Sequence, residues 1–247
     1  MSDTRTILAI TGEDRAHFLQ GLVTNDVGKT RDGGIVYAAL LTPQGKYLAD
    51  FFLKCDGDRI LLDVDTALAP ALAQRLSMYK LRAKVGIEET ALQVRRGTGP
   101  MPDGAVMDPR DPALGWRLYG AEGGGDGTDW TALRVARMVP ETGMELTPDS
   151  YILEMGFERL NGVDFRKGCY VGQEVTARMK HKTELKKGLA RVAISGDATP
   201  GTPILAGDRE AGTLHSVAGD QALAYLRFDR ATGPLTAGAA RVIWQQD

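Results

Sequence analysis

Cysteine, histidine and long apolar runs are what this chain has least of. Its 247 residues hold two cysteines, Cys55 and Cys169, too few and too far apart for a disulfide framework. That usage fits a reducing compartment. The three histidines, His17, His181 and His215, are scattered, so neither residue type shows metal-ligand spacing and no intrinsic metal is expected. No apolar run approaches the roughly 18 residues needed to span a bilayer, and the N-terminal MSDTRTILAI lacks an apolar signal region. These absences lead to the expectation of a cytoplasmic protein with no membrane association. A nucleotide-cradling G-x-G-x-x-G is missing too. Gly123 to Gly125 with Gly127 has the wrong spacing and reads as a flexible loop.

What is present is an ordinary globular composition, 43% hydrophobic and 25% charged with a net charge of −2, which excludes disorder. The length allows one large or two modest domains. Charge is unevenly placed. From Arg166 to Arg191 there are eight Lys or Arg against Glu174 and Glu184, a local +6 that leaves −8 for the rest of the −2 chain. Such a segment attracts anions: a carboxylate-bearing ligand, a phosphate, RNA or an acidic partner. Direct nucleic-acid binding is not expected, because Tyr170 is the only ring interleaved with these cations.

Taken in order, Thr11-Gly12-Glu13-Asp14 is a helix-start signal, with Phe18, Leu19, Leu22 and Val23 at helical spacing. A helix over 13–22 is expected, ending at the polar Thr24-Asn25-Asp26. Three strands follow as a meander over 34–41, 46–55 and 59–64, joined by Thr42-Pro43-Gln44-Gly45 and Asp56-Gly57-Asp58. Period two puts Tyr47, Ala49, Phe51, Leu53 and Cys55 on one face, so Cys55 reads as core. Leu68, Leu72 and Leu76 predict a helix over 66–80, with Pro70 tolerated in its first turn. It leads through Tyr79-Lys80-Leu81-Arg82-Ala83-Lys84-Val85 into another strand. Asp108, Arg110 and Arg117 read as a structural Asp–Arg group, and Asp129 as the cap of a helix running to about Met138. After His181 short apolar runs separated by Gly, Pro and Asp turns indicate a small barrel or sandwich.

The stretch least explained by packing is Asn161 to His181, NGVDFRKGCYVGQEVTARMKH. Cys169 lies just before an expected helix, with Arg166 and Lys167 beside it, the setting that favours a thiolate. Gly168 and Gly172 would let a ligand approach the main chain, and Gln173 and Glu174 place polar groups in the first helical turn. A tight turn into a surface helix, with one small buried cysteine, would also explain these residues.

Lys167 to Glu174, KGCYVGQE, resembles the signature of the YgfZ family, folate-binding proteins that support iron–sulfur enzymes and are related to the T-protein (GcvT) of the glycine cleavage system, an aminomethyltransferase. FLQGLVTNDV, Tyr79 to Val85, DPRDPALGWRLYG and ILEMGFE are similar to further elements of these families. The resemblance implies an α+β fold, a GcvT/YgfZ-like folate-binding domain of antiparallel sheets and helices over 1–185 and a small C-terminal β-barrel over 186–247. It also implies a tetrahydrofolate cofactor, with Lys167, Glu154, Gly168, Tyr170, Gly172, Gln173 and Glu174 as its binding set and Glu154 on the pterin edge. Cys169 would be the functional thiol, a transient cluster ligand or a redox-sensitive residue. One cysteine cannot hold a cluster that needs about four thiolates, so iron–sulfur assembly proteins or [4Fe–4S] client enzymes are the expected partners of a monomeric accessory protein. Any effect on tRNA modification would be indirect, through such a client. The alternative is a tetrahydrofolate-dependent aminomethyltransferase. The T-protein's catalytic aspartate has no counterpart in LLDVDTALAPALAQRL, which leaves Asp63 or Asp65 as substitutes.

Overall fold

The computed structural model describes residues 4–181 and 184–245. The chain divides into two compact units, and each draws on two stretches: 1–128 with 157–177, and 129–156 with 178–247.

The first unit is built on strand β1 (Arg5–Thr11), helix α1 (Arg15–Gln20), strands β2 (Ile35–Leu41), β3 (Tyr47–Asp56) and β4 (Arg59–Asp65), helix α2 (Ala69–Lys80) and strand β5 (Gly86–Glu89). The strands form one antiparallel sheet in the order β2-β3-β4-β1-β5. The expected meander is its β2-β3-β4 half. One face is dry: Leu8, Ile10, Ala38, Leu40, Ala49, Phe51, Leu53 and Leu62 pack with Phe18 and Leu19 of α1 and with Leu72 and Leu76 of α2. Burial of such side chains contributes about 1.5–3 kcal/mol each.

Several local expectations shift. A register shift between Leu40 and Leu41 opposite β3 turns Tyr47 off the Ala49 face, and its hydroxyl donates to Asp50 at 2.6 Å. Cys55, at the far end of β3, is half-buried, not core. Helix α1 is shorter than 13–22, because the Asp14 carboxylate accepts the backbone N–H of Lys84 (2.8 Å) and caps no helix. The new strand begins only at Gly86.

A smaller sheet in the order β7-β8-β6-β9 completes this unit, with β6 (Gln93–Gly97), β7 (Val106–Met107), β8 (Trp116–Gly120) and β9 (Gly124–Gly125). Two of the glycines expected in a flexible loop thus make the short parallel strand β9 against β6.

In the second unit Asp129 caps helix α3 (Trp130–Arg137), accepting the Ala132 N–H at 2.9 Å. Helix α4 (Gln173–His181) leads from one unit into the other. Strands β10 (Lys187–Ser195), β11 (Pro203–Ala206), β12 (Arg209–Ala218), β13 (Gln221–Arg227), β14 (Leu235–Ala237) and β15 (Ala240–Ile243) close into a barrel in the order β10-β13-β12-β11-β14-β15. Closure leaves the sheet no free edge. Its interior holds small and branched side chains such as Val192, Ile204, Leu214, Ala224, Leu226 and Val242.

Candidate functional site

The Asn161–Gly172 segment has no regular structure, yet it is tightly held, and the holding residues come from the polar stop after α1. Thr24 Oγ1 donates to the Gly162 carbonyl (2.7 Å), and the Thr24 carbonyl accepts the Asp164 N–H (3.0 Å). Asn25 Nδ2 donates to the carbonyls of Asn161 (2.7 Å) and Tyr37 (2.8 Å). Lys29 forms a 2.7 Å ion pair with Asp164, which also accepts the Arg166 N–H at 2.7 Å. The Lys29 hydrogen bond is the main cause that holds the Asp164 carboxyl below its usual range. Thr24 and Asn25 are buried, so each of these bonds satisfies a polar group that would otherwise cost about 1–3 kcal/mol.

Lys167 points inward. It is buried, and its ammonium donates to the carbonyls of Gln20 (2.7 Å) and Val23, with the Tyr170 ring centroid 5.0 Å from Nζ. Burial pushes its pKa down to about 8, against the opposing charges of Asp26 and Asp164. Tyr170 is buried as well, and its N–H donates to Gln173 Oε1 at 3.3 Å. Gly172 has φ +81°, and a Cβ there would lie 2.5 Å from the Thr42 carbonyl oxygen and 3.2 Å from the Gly45 Cα. The β2–β3 turn therefore seats the start of α4, and this glycine is required by that close approach of protein to protein.

Between these anchors the chain faces outward. Arg166, Gly168 and Cys169 are exposed, as is Glu174 in the first turn of α4. A Cβ on Gly168 would meet no atom within 4 Å. The loop thus brings together Lys167, Gly168, Cys169, Tyr170, Gly172 and Gln173, with Lys167 and Tyr170 as inward supports and Cys169 at the outer tip. Glu154 belongs to the second unit. It is buried, its Oε2 accepts the Tyr225 hydroxyl at 2.6 Å, and the Lys187 ammonium lies 3.7 Å away.

The substitutes considered for an acid catalyst are both engaged. Asp63 is 1% exposed and accepts Arg5 Nε (2.6 Å), Arg117 Nη2 (2.6 Å) and the Tyr119 hydroxyl (2.9 Å). Burial alone would raise its pKa, but Arg117 and then Arg5 outweigh that and hold it at about 2. At neutral pH it has no proton to give. Asp65 caps a turn, accepting the Ala67 N–H at 2.8 Å. Asp108 binds Arg110 through two bonds of 2.9 and 2.8 Å, and Arg117 lies 3.5 Å from it. The guanidinium of Arg117 stacks 3.9 Å from the Phe52 ring centroid. This is a fully paired buried network, as the structural reading of Asp108, Arg110 and Arg117 expects.

Sequence reading missed Thr24, Asn25, Lys29 and Asp164 as the frame of the loop. Thr24 and Asn25 lie in the family-like FLQGLVTNDV and Asp164 in the NGVDF that opens the motif stretch, whereas Lys29 lies in neither, and only the fold reveals their pairing.

Among known proteins, the family model of the CAF17 C-terminal beta-barrel domain matches residues 186–246. The aminomethyltransferase T of the glycine cleavage system from Bartonella henselae shares the fold, with a TM-score of 0.73 over 96% of this chain and 81% of that one at 12% identity. The chain is 31% identical to the mitochondrial iron–sulfur cluster assembly factor IBA57 of Homo sapiens, covering 94% of this chain and 78% of that protein. It is 33% identical to the IBA57 homolog of Mycosarcoma maydis, also named mitochondrial, over 79% of this chain but only 57% of that longer protein. These relatives are named mitochondrial, which overturns the cytoplasmic expectation. Scarce cysteine separates reducing from oxidising compartments, and it does not separate one reducing compartment from another. At this identity and coverage, the chain belongs to the family of the iron–sulfur cluster assembly factor IBA57.

Proposed function

We propose that this protein serves iron–sulfur cluster assembly, as its relatives' names describe, by presenting Cys169 to a partner protein. The cluster is cargo. The observation that carries this reading is the contrast within one short loop: Lys167, Tyr170 and Gly172 are locked inward, while Gly168 and Cys169 stand exposed between them. A loop held at both ends presents a ligand atom without the entropy cost of ordering it on docking. One thiolate is a quarter of the usual ligand set, and among the described residues no group of three or more His, Cys, Asp or Glu is arranged to hold a metal. Assembly proteins or [4Fe–4S] client enzymes would supply the remaining ligands. The exposed Arg166 next to the tip would favour an anionic thiolate-bound cluster or an acidic partner rim.

Tetrahydrofolate as a cofactor rests on the family resemblance. The residues expected to hold it fit that role poorly: Lys167 has two of its three protons on backbone carbonyls, and Glu154 Oε2 is taken by Tyr225. A folate would be recognised chiefly by other groups.

The test is genetic and biophysical together. In cells lacking the protein, the wild-type chain is expected to restore [4Fe–4S] enzyme activity and Cys169→Ser is not, although the variant melts at the wild-type temperature. Full rescue by Cys169→Ser would refute the proposal. Anaerobic titration with tetrahydrofolate, read by calorimetry, tests the cofactor separately.

A further inference from the structure

The first unit holds a groove of about 580 Å³, lined by α1, by the 3₁₀ turns of Val27–Gly33 and by the adjoining ends of β3 and β4. Its volume is that of a small-molecule site. Val27 and Ile60, both buried, supply apolar surface, and the half-buried Cys55 also lines it. Cys169 does not.

The charged groups of this lining are answered on one side only. Both carboxylates are engaged: Glu13 pairs with Lys84, and Asp26 Oδ1 accepts the Gly28 N–H (2.9 Å) and the Gln20 side-chain amide (3.1 Å). The basic groups have donors left over. Arg15 Nη1 donates to the Gly12 carbonyl (2.9 Å), its one side-chain bond, and the exposed Arg31 and His17 make no side-chain hydrogen bond or ion pair among the described residues. The charges that flank the groove do not change this balance. Asp14 accepts the Lys84 N–H, Asp56 pairs with Arg59, and Lys54 donates to the Cys55 carbonyl. Asp32, next to Arg31 in sequence, is not part of the lining and forms no ion pair with it.

We propose that this groove binds a small organic anion carrying two acidic groups, one for the Arg15 guanidinium and one for that of Arg31. A guanidinium fork takes a carboxylate or a phosphate through two parallel N–H···O bonds. Two forks in one groove call for two such groups, with the carbon skeleton between them against Val27 and Ile60. His17 adds a further donor. Single-stranded nucleic acid is a poor occupant, because no Phe, Tyr or Trp lines the groove for a base to stack on. Carboxylate and phosphate share the recognition chemistry, and the test below separates them. The inference does not depend on the role proposed for Cys169.

The test uses the full chain with glutarate, fructose 1,6-bisphosphate and inorganic phosphate as probes. Calorimetry gives their affinities, and iodoacetamide labelling read by mass spectrometry follows Cys55, in the groove, against Cys169, outside it. At least one of the two doubly acidic probes is expected to bind saturably, roughly tenfold or more tighter than inorganic phosphate. Which of them binds assigns the ligand's acidic groups. Its binding should slow the labelling of Cys55 and leave that of Cys169 unchanged. Arg15→Ala and Arg31→Ala should each weaken it roughly tenfold, and Arg31→Ala, which removes no bond of the fold, keeps the wild-type melting temperature. Failure of both doubly acidic probes to bind, inorganic phosphate binding as tightly as they do, or affinity unchanged in Arg31→Ala would overturn the proposal. Binding that leaves the Cys55 labelling rate unchanged would place the ligand elsewhere and overturn it equally.

Discussion

Two polar clusters of the first unit look alike as sequence and differ as structure. Around Asp63, every charge is answered, and Asp63, Asp108 and Arg117 are buried: Arg5, Arg117 and Tyr119 bind the Asp63 carboxylate, and Asp108 binds Arg110. Around Cys169, buried polar groups serve only as a frame, and the thiol is left outside it. An aspartate beside arginines suggests chemistry, but a fully satisfied ion network in a dry site maintains the fold and has nothing left to offer a substrate. A residue with no structural task, held in place by residues that have one, is the better functional candidate.

The contrast is broken most severely at Arg117. Arg117→Ala leaves the Asp63 carboxylate buried with part of its pairing gone, and a loss of about 3–5 kcal/mol is expected in urea denaturation. A loss below about 1 kcal/mol would show that the network does not sustain the fold. Gly172→Ala forces a Cβ toward the Thr42 carbonyl at positive φ. About 1–3 kcal/mol should be lost, with faster hydrogen exchange in the motif loop as the accompanying sign.

Acid titration sharpens the comparison further. The Asp63 carboxyl is held at about 2 in the folded chain, below its ordinary 3.8. The folded state therefore binds fewer protons than the unfolded one between these values, and the stability Asp63 contributes is complete above about pH 4 and lost as pH falls towards 2. The acid limb of the stability curve should be shallower for Asp63→Asn than for the wild-type chain. An unchanged limb would mean the carboxylate is not held down by its arginines. The smallest expected effect on stability is that of Cys169→Ser, within about 0.5 kcal/mol, as for other exposed side chains.

Much of this was legible from the residues. Alternation gave the meander, leucine spacing gave α2, Asp129 gave the α3 cap, and the turn-punctuated C-terminal runs gave a small barrel or sandwich, which the family resemblance narrowed to a barrel, although the three-residue strand β14 was too short to register. KGCYVGQE marked the loop. What stayed hidden depended on contacts distant in sequence. Nothing near Lys167 announces that its ammonium is bound to carbonyls at positions 20 and 23. Nothing near Gly172 announces the β2–β3 turn that excludes a side chain there. The bulge that turns Tyr47 towards Asp50 breaks an alternation that looked regular. Glu154, taken for a ligand group on family likeness, is held by Tyr225 from a strand 71 residues away.

The most direct measurement is the activity of a [4Fe–4S] enzyme in cells whose only copy of this protein carries Cys169→Ser, set beside the melting curve of the purified variant. The account predicts an unchanged melting curve with enzyme activity as low as in cells without the protein. Wild-type enzyme activity in that strain would contradict it, because the loop would then present a thiol that nothing uses.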